Sequence, residues 1–156
     1  MQVMTGGGPG IMEAAKTGAK EAGGLSLGCN IILPMEQRGN PYLDRFIEMD
    51  HSFVRKVMLV KYSRAFVVMP GGFGTLDEAF ETITLVECHK LDPFPIVAMG
   101  SEFWEQMRVF VRGALISEKT ISPGDLDLLH VTDSPQEALA YIQSGVAQVA
   151  PVSGID

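Results

Sequence analysis

The chain has 156 residues, 46% of them hydrophobic and 20% charged, with a formal net charge of −7 at neutral pH. That is long enough for one domain with a real core and too apolar to stay disordered. The acidity argues against a nucleic-acid backbone as partner, but not against a small phosphate ester, on which helix ends and one or two cations act locally. No run is long and apolar enough to span a membrane, and no signal-peptide pattern is present. Cys29 and Cys88 form no Cys-x-x-Cys pair and are expected as reduced, buried thiols of a cytoplasmic protein. His51, His89 and His130 lack metal-ligand spacing, so no metal is expected.

In chain order, Met1-Gln2-Val3-Met4 reads as the end of a strand, followed by the turn Thr5-Gly6-Gly7-Gly8-Pro9-Gly10. Ile11, Met12, Ala14, Ala15, Ala19 and Ala22 then predict a helix with a small-residue face, stopped near Gly23-Gly24. The spacing Gly6-x-Gly8-x-Gly10 is not the dinucleotide fingerprint, and no Gly-Lys-Ser/Thr follows. Neither a nicotinamide or flavin cofactor nor a P-loop is expected. Residues 25–33 read as the next strand, closed by Pro34, and a loop carries Glu36 just past the strand end. There it is either a ligand contact or a solvated charge. Residues 42–49 look extended, and a helix follows with Val54, Met58 and Tyr62 on one face. Arg55 and Lys56 lie early on its polar side. A solvated pair is the usual reading, though an arginine also suits bidentate contact with a phosphate.

Ala65-Phe66-Val67-Val68-Met69 predicts a strand buried on both faces, and Leu76, Ala79, Phe80, Ile83, Leu85 and Val86 recur at helical spacing. Between them runs Pro70-Gly71-Gly72-Phe73-Gly74-Thr75-Leu76-Asp77-Glu78. A glycine-rich turn from strand to helix brings bare amides and a helix N-terminus to whatever sits above it, which suits an anion. Thr75-x-x-Glu78 also fits a capping box. Against a pure cap, a first-turn carboxylate beside an anion cradle is unfavourable unless it acts on a sugar or a water. Further on, residues 95–100 read as a buried strand, and Ser101 as the cap of a helix in which Trp104 anchors the core. Ser122-Pro123-Gly124-Asp125 is a turn and residues 128–132 an edge strand. Ser134-Pro135-Gln136-Glu137 is a capping box opening the last helix, with no functional role read for Glu137. Residues 1–145 are expected as one domain and 146–156 as a mobile tail. The alternation of strands and helices predicts an α/β, Rossmann-like fold, a parallel sheet flanked by helices with both glycine turns at its carboxyl edge.

Taken together, Gly6-Gly7-Gly8-Pro9-Gly10-Ile11-Met12-Glu13-Ala14-Ala15, Arg55-Lys56 and Pro70-Gly71-Gly72-Phe73-Gly74-Thr75-Leu76-Asp77-Glu78 resemble the LOG family, the cytokinin riboside 5'-monophosphate phosphoribohydrolases. The likeness runs from the first residue to about the end of the helix after Glu78 and is weaker beyond. Family members carry a further strand and helix before the first glycine loop, and the chain is expected to lack that unit. The resemblance implies hydrolysis of the N-glycosidic bond of an adenine-type nucleoside 5'-monophosphate, prenylated or plain AMP, to free base and ribose 5-phosphate. Gly71, Gly72, Gly74 and Thr75 are expected to hold the phosphate, with Gly8 lining the other side of the pocket. The resemblance makes Arg55 and Glu78 catalytic and gives Glu36, Lys56 and Thr84 contacts with the ligand. It implies no cofactor and a homodimer or larger homo-oligomer. The alternative is a carrier or sensor that binds a nucleotide without turnover. Decarboxylation of lysine has no support in the residues, since no cofactor-lysine context is evident.

Overall fold

The computed structural model describes residues 2–31, 43–91 and 94–148. The chain falls into two compact units, Met1–Ser63 and Arg64–Asp156. In the first, β1 (Gln2–Thr5), α1 (Ile11–Glu21), β2 (Leu25–Ile31), β3 (Arg45–Met49) and α2 (Ser52–Lys61) follow one another. The strands pair in parallel in the order β1-β2-β3, with Gln2 opposite Leu25 and Leu27 opposite Arg45. The second unit runs β4 (Phe66–Val68), α3 (Phe73–Glu87), β5 (Ile96–Met99) and α4 (Ser101–Phe110), which continues into a π-helical turn (Val111–Ile116). A 3₁₀ segment (Pro123–Leu128), β6 (His130–Thr132) and α5 (Pro135–Gln148) complete it. Its strands are also parallel, in the order β4-β5-β6.

The α/β class is as the alternation predicts, because parallel neighbours need a crossover and a helix supplies it. The pairing differs from the expected single sheet. Hydrogen bonds group the described strands into two sheets of three, one per unit. Which strands pair is a property of tertiary contact, and hydrophobic period carries no information on it.

In the second unit the core gathers on β5, where Ile96, Val97 and Ala98 are fully buried. Trp104 packs there with no exposed surface, and its indole N–H donates to Met99 O at 3.0 Å. Its predicted role as a core anchor is met. β5 is the central strand and its first three residues are fully buried, whereas β4 is an outer strand with Val67 49% exposed, contrary to the expectation of two buried faces. β6 is an edge strand, as predicted.

In the first unit α1 packs on β1 and β2 and places Lys16 fully inside. The Lys16 ammonium donates to Val3 O at 2.9 Å and to Leu27 O. Burial pushes its pKa down to about 8, opposed by the charge of Asp44. Asp44 accepts hydrogen bonds from Lys20 and the Ser26 amide, which hold its carboxyl below the usual range. Phe46 lies over the two neighbouring glycines: a Cβ would come within 2.9 Å of its ring at Gly7 and 2.5 Å at Gly28. On α2 the predicted faces are partly inverted. Phe53, Val57 and Tyr62 are exposed while Arg55 and Lys56 are half-buried. Of the two cysteines, neither in a disulfide, Cys29 is buried but Cys88 is exposed, correcting the second half of that expectation. Cys88 falls at the C-terminal end of α3, where the chain leaves the core.

Candidate functional site

Comparison of the helix N-termini separates occupied from open ones. At α4, Asp133 accepts from the Gly100 and Ser101 amides at 3.0 and 2.8 Å and from the Ser101 hydroxyl. Ser101 is therefore the first helical residue and not the cap, and an internal carboxylate already fills this anion position. At α5, Ser134 Oγ accepts from the Glu137 amide at 3.2 Å, the expected half of the capping box. The reciprocal half is replaced. Glu137 accepts instead from Thr132 Oγ1 at 2.6 Å and faces His130 Nε2 at 3.1 Å. These contacts, the Thr132 bond foremost, hold its carboxyl below the usual range. α1 and α3 have glycine N-caps, Gly10 and Gly72, and no side-chain cap, and α2, with His51 at its N-cap, has no side-chain cap either.

The start of α3 differs from the capping-box reading. Gly72 is the N-cap, and its carbonyl accepts from the Thr75 and Leu76 amides at 3.0 and 3.1 Å. The helix starts three residues early, with Gly72 and not Thr75 as its N-cap, because the glycines impose no steric bar to turning at once. Thr75 is thus the third helical residue, and Glu78 sits in the second turn, one turn above Thr75 on the same side. The glycines divide by function. A Cβ on Gly71 would lie 2.3 Å from Thr75 Oγ1, so the fold itself requires glycine there. A Cβ on Gly72 or Gly74 would meet no described atom within 4 Å, so the space beside the first-turn amides is open. Glu78 is half-buried, and its Oε1 is shut off from solvent. Thr84 is not brought to this side. Nine residues beyond Thr75 it is rotated by about 180°, and its exposed hydroxyl donates to Phe80 O at 2.8 Å.

In the first unit the other glycine turn is held by Thr5, whose Oγ1 accepts from the Gly7 amide at 3.0 Å. Gly7 has φ 82°, and Gly8 is buried. α2 brings Arg55 to this turn: Nη1 lies 3.8 Å from where a Gly6 Cβ would stand, and Nε is shut off from solvent. Lys56 is half-buried beside it in sequence. Arg55 therefore leaves the solvated polar face that periodicity assigned to it. Glu36 lies outside the described residues. Sequence reasoning does not find Lys16 or Asp133. Lys16 follows a polar spacing that reads as surface, and the Ser-Pro capping signal immediately after Asp133 conceals it. Among the described residues no group of three or more His, Cys, Asp or Glu is placed to hold a metal ion. None of their helices is long and apolar enough to cross a membrane.

Residues 12–142 match a family model described as "Possible lysine decarboxylase". A cytokinin riboside 5'-monophosphate phosphoribohydrolase of Mycobacterium tuberculosis is 31% identical over 139 residues, which is 88% of this chain and 73% of that protein. The X-ray structure of TM1055 superposes with a TM-score of 0.64 at 27% identity, over 92% of this chain and 78% of the other. A molybdenum cofactor binding protein from Rippkaea orientalis shares the fold, with a TM-score of 0.64 at 22% identity, over 92% and 76% of the two chains.

Proposed function

The chain belongs to the LOG family, whose model bears the description "Possible lysine decarboxylase", and from that premise we propose that it is a phosphoribohydrolase acting on nucleoside 5'-monophosphates. The observation that carries the reading is the start of α3. Its first-turn amides lack a side-chain cap, Gly72 and Gly74 leave the space beside them open, and Glu78 stands one turn above. The 5'-phosphate is held by the Gly71, Gly72, Gly74 and Thr75 segment, where the helix dipole and charge-assisted amide hydrogen bonds favour an anion. The C1'–N bond to the base then breaks, water adds to C1', and a proton of that water ends on the departing base. Positive charge develops on the ribose as the bond opens. Glu78 stabilises that charge or takes the proton of the attacking water, and its partial burial strengthens the electrostatic effect. Arg55 keeps the catalytic role, and Lys56, Gly8 and Glu36 the binding roles, that the resemblance implies. The preferred substrate is an adenine nucleotide, with or without an N6-prenyl group, bound by a cytoplasmic homo-oligomer without a cofactor.

The test is incubation with AMP and with isopentenyladenosine monophosphate, followed by chromatographic separation of the products. Free base together with ribose 5-phosphate is the expected result, and the ratio between the substrates gives the value of the prenyl group. Intact nucleotide that nonetheless binds would refute turnover and leave a carrier.

A further inference from the structure

The cleft at the carboxyl end of the second sheet, about 680 Å³, is lined by Pro70, Gly100, Ser101, Phe103 and Asp133, among others. Pro70, Gly100 and Asp133 come from the loops that follow β4, β5 and β6, the start of α4 supplies the rest of the wall, and the contacts between the three loops form a chain. Asp133, just after β6, fixes the loop after β5 through the Gly100 amide, the Ser101 amide and the Ser101 hydroxyl. Gly100 is thereby held at φ 95°, a left-handed conformation that favours glycine. Its bare Cα then seats Pro70: a Cβ on Gly100 would stand 2.7 Å from Pro70 Cγ and 3.1 Å from Cδ. Pro70 is the second residue of the loop after β4, and having no N–H it cannot be held through a backbone donor of its own. The next residue, Gly71, is in turn packed against Thr75.

We propose that Asp133 is a positioning residue for the phosphate cradle of α3, acting through Gly100 and Ser101 on Pro70 and so on the amides of residues 71–75. The inference rests on the phosphoribohydrolase reading only for what the cradle holds, and not for how the cradle is held. Two close approaches bracket the turn, Pro70 on Gly100 and Gly71 on Thr75, and Asp133 supports the first of them. The same carboxylate keeps the N-terminus of α4 closed to other anions, so of the two helices that follow β4 and β5 only α3 offers an open one.

The experiment measures amide hydrogen exchange over residues 71–76 without ligand, together with the affinities for AMP and adenosine. It compares wild type with Asp133→Ala, Asp133→Asn and Gly100→Ala. Asp133→Ala should speed exchange in the loop at least fivefold while the amides of β5 stay protected. It should weaken AMP at least tenfold and leave adenosine within twofold. Asp133→Asn keeps an oxygen acceptor for the two amides and should recover most of both effects. Gly100→Ala leaves Asp133 in place but pushes on Pro70, and should reproduce the loss if Asp133→Ala fails to fold. Wild-type loop exchange and AMP affinity in both Asp133→Ala and Gly100→Ala would overturn the proposal. So would equal weakening of AMP and adenosine with general loss of protection, which marks a merely structural role. If wild type binds no AMP yet loop exchange rises selectively in Asp133→Ala, the positioning role stands and the phosphoribohydrolase reading falls.

Discussion

Gly74→Ala should stabilise the protein and damage its binding, and this opposition of sign is the sharpest consequence of the open glycines. Gly74 is the second residue of α3, does not adopt a positive φ, and has no described atom within 4 Å of where a Cβ would stand. Alanine therefore fits without strain. Replacing glycine by alanine in a helix is worth about 0.5–1 kcal/mol, part of it through the unfolded chain. For a domain of this size that raises the melting temperature by roughly 1–4 °C. The added methyl stands in the space that a phosphate oxygen must enter to reach the first-turn amides. Loss of one charge-assisted hydrogen bond, about 1.5–3 kcal/mol, corresponds to roughly a 10- to 100-fold weaker AMP complex. Gly18 supplies the control. It lies exposed within α1, also with nothing within 4 Å of a Cβ, so Gly18→Ala should give a similar stabilisation with unchanged affinity. Calorimetric unfolding and titration with AMP measure both quantities on the same samples. A Gly74→Ala protein that binds AMP as tightly as wild type would refute the cradle.

Glu78→Gln should leave the melting temperature within about 1 °C, since Glu78 is not a cap residue, and lower kcat by about 100-fold or more; wild-type turnover would end the catalytic assignment. Lys16→Met should flatten the rise of stability in alkali. The folded pKa of Lys16 is about 8 against an ordinary 10.5, so between these values the unfolded chain holds a proton the folded chain lacks, and stability increases with pH. That interval bounds the gain at about 3 kcal/mol, read as the difference between wild-type and Lys16→Met urea midpoints at pH 8 and pH 10.5, and identical slopes would refute it. Gly28→Ala should destabilise the first unit by about 1–3 kcal/mol, because its Cβ would stand 2.5 Å from Phe46; denaturant unfolding tests this. Glu137→Gln should leave turnover unchanged while weakening the bond to Thr132, so its effect belongs in the melting curve alone.

The alternation of strands and helices, and the position of each glycine turn between a strand and a helix, were legible because period and punctuation are local properties of the chain. The core role of Trp104 was legible for the same reason, as a large apolar side chain at helical spacing behind a buried strand. The capping signals misled where two partners competed for the same helix end. Thr75 could have capped α3, but three glycines allowed the turn to close earlier, at Gly72. Ser101 could have capped α4, but a carboxylate more than thirty residues away in sequence took its place.

The family, the strand–glycine–helix order, and the residue types able to meet a phosphate and a developing positive charge are all written in the chain. Folding in three dimensions settles how strands group into sheets, which glycines are required by their neighbours and which leave space open, and which side chains are withdrawn from water. Arg55 reads as a solvated cation by spacing and is half-buried, and Lys16, which no motif singles out, is fully buried. The physical reason is that burial and close approach are set by whatever packs opposite, from Phe46 on Gly28 to Pro70 on Gly100. No local pattern encodes that opposite partner.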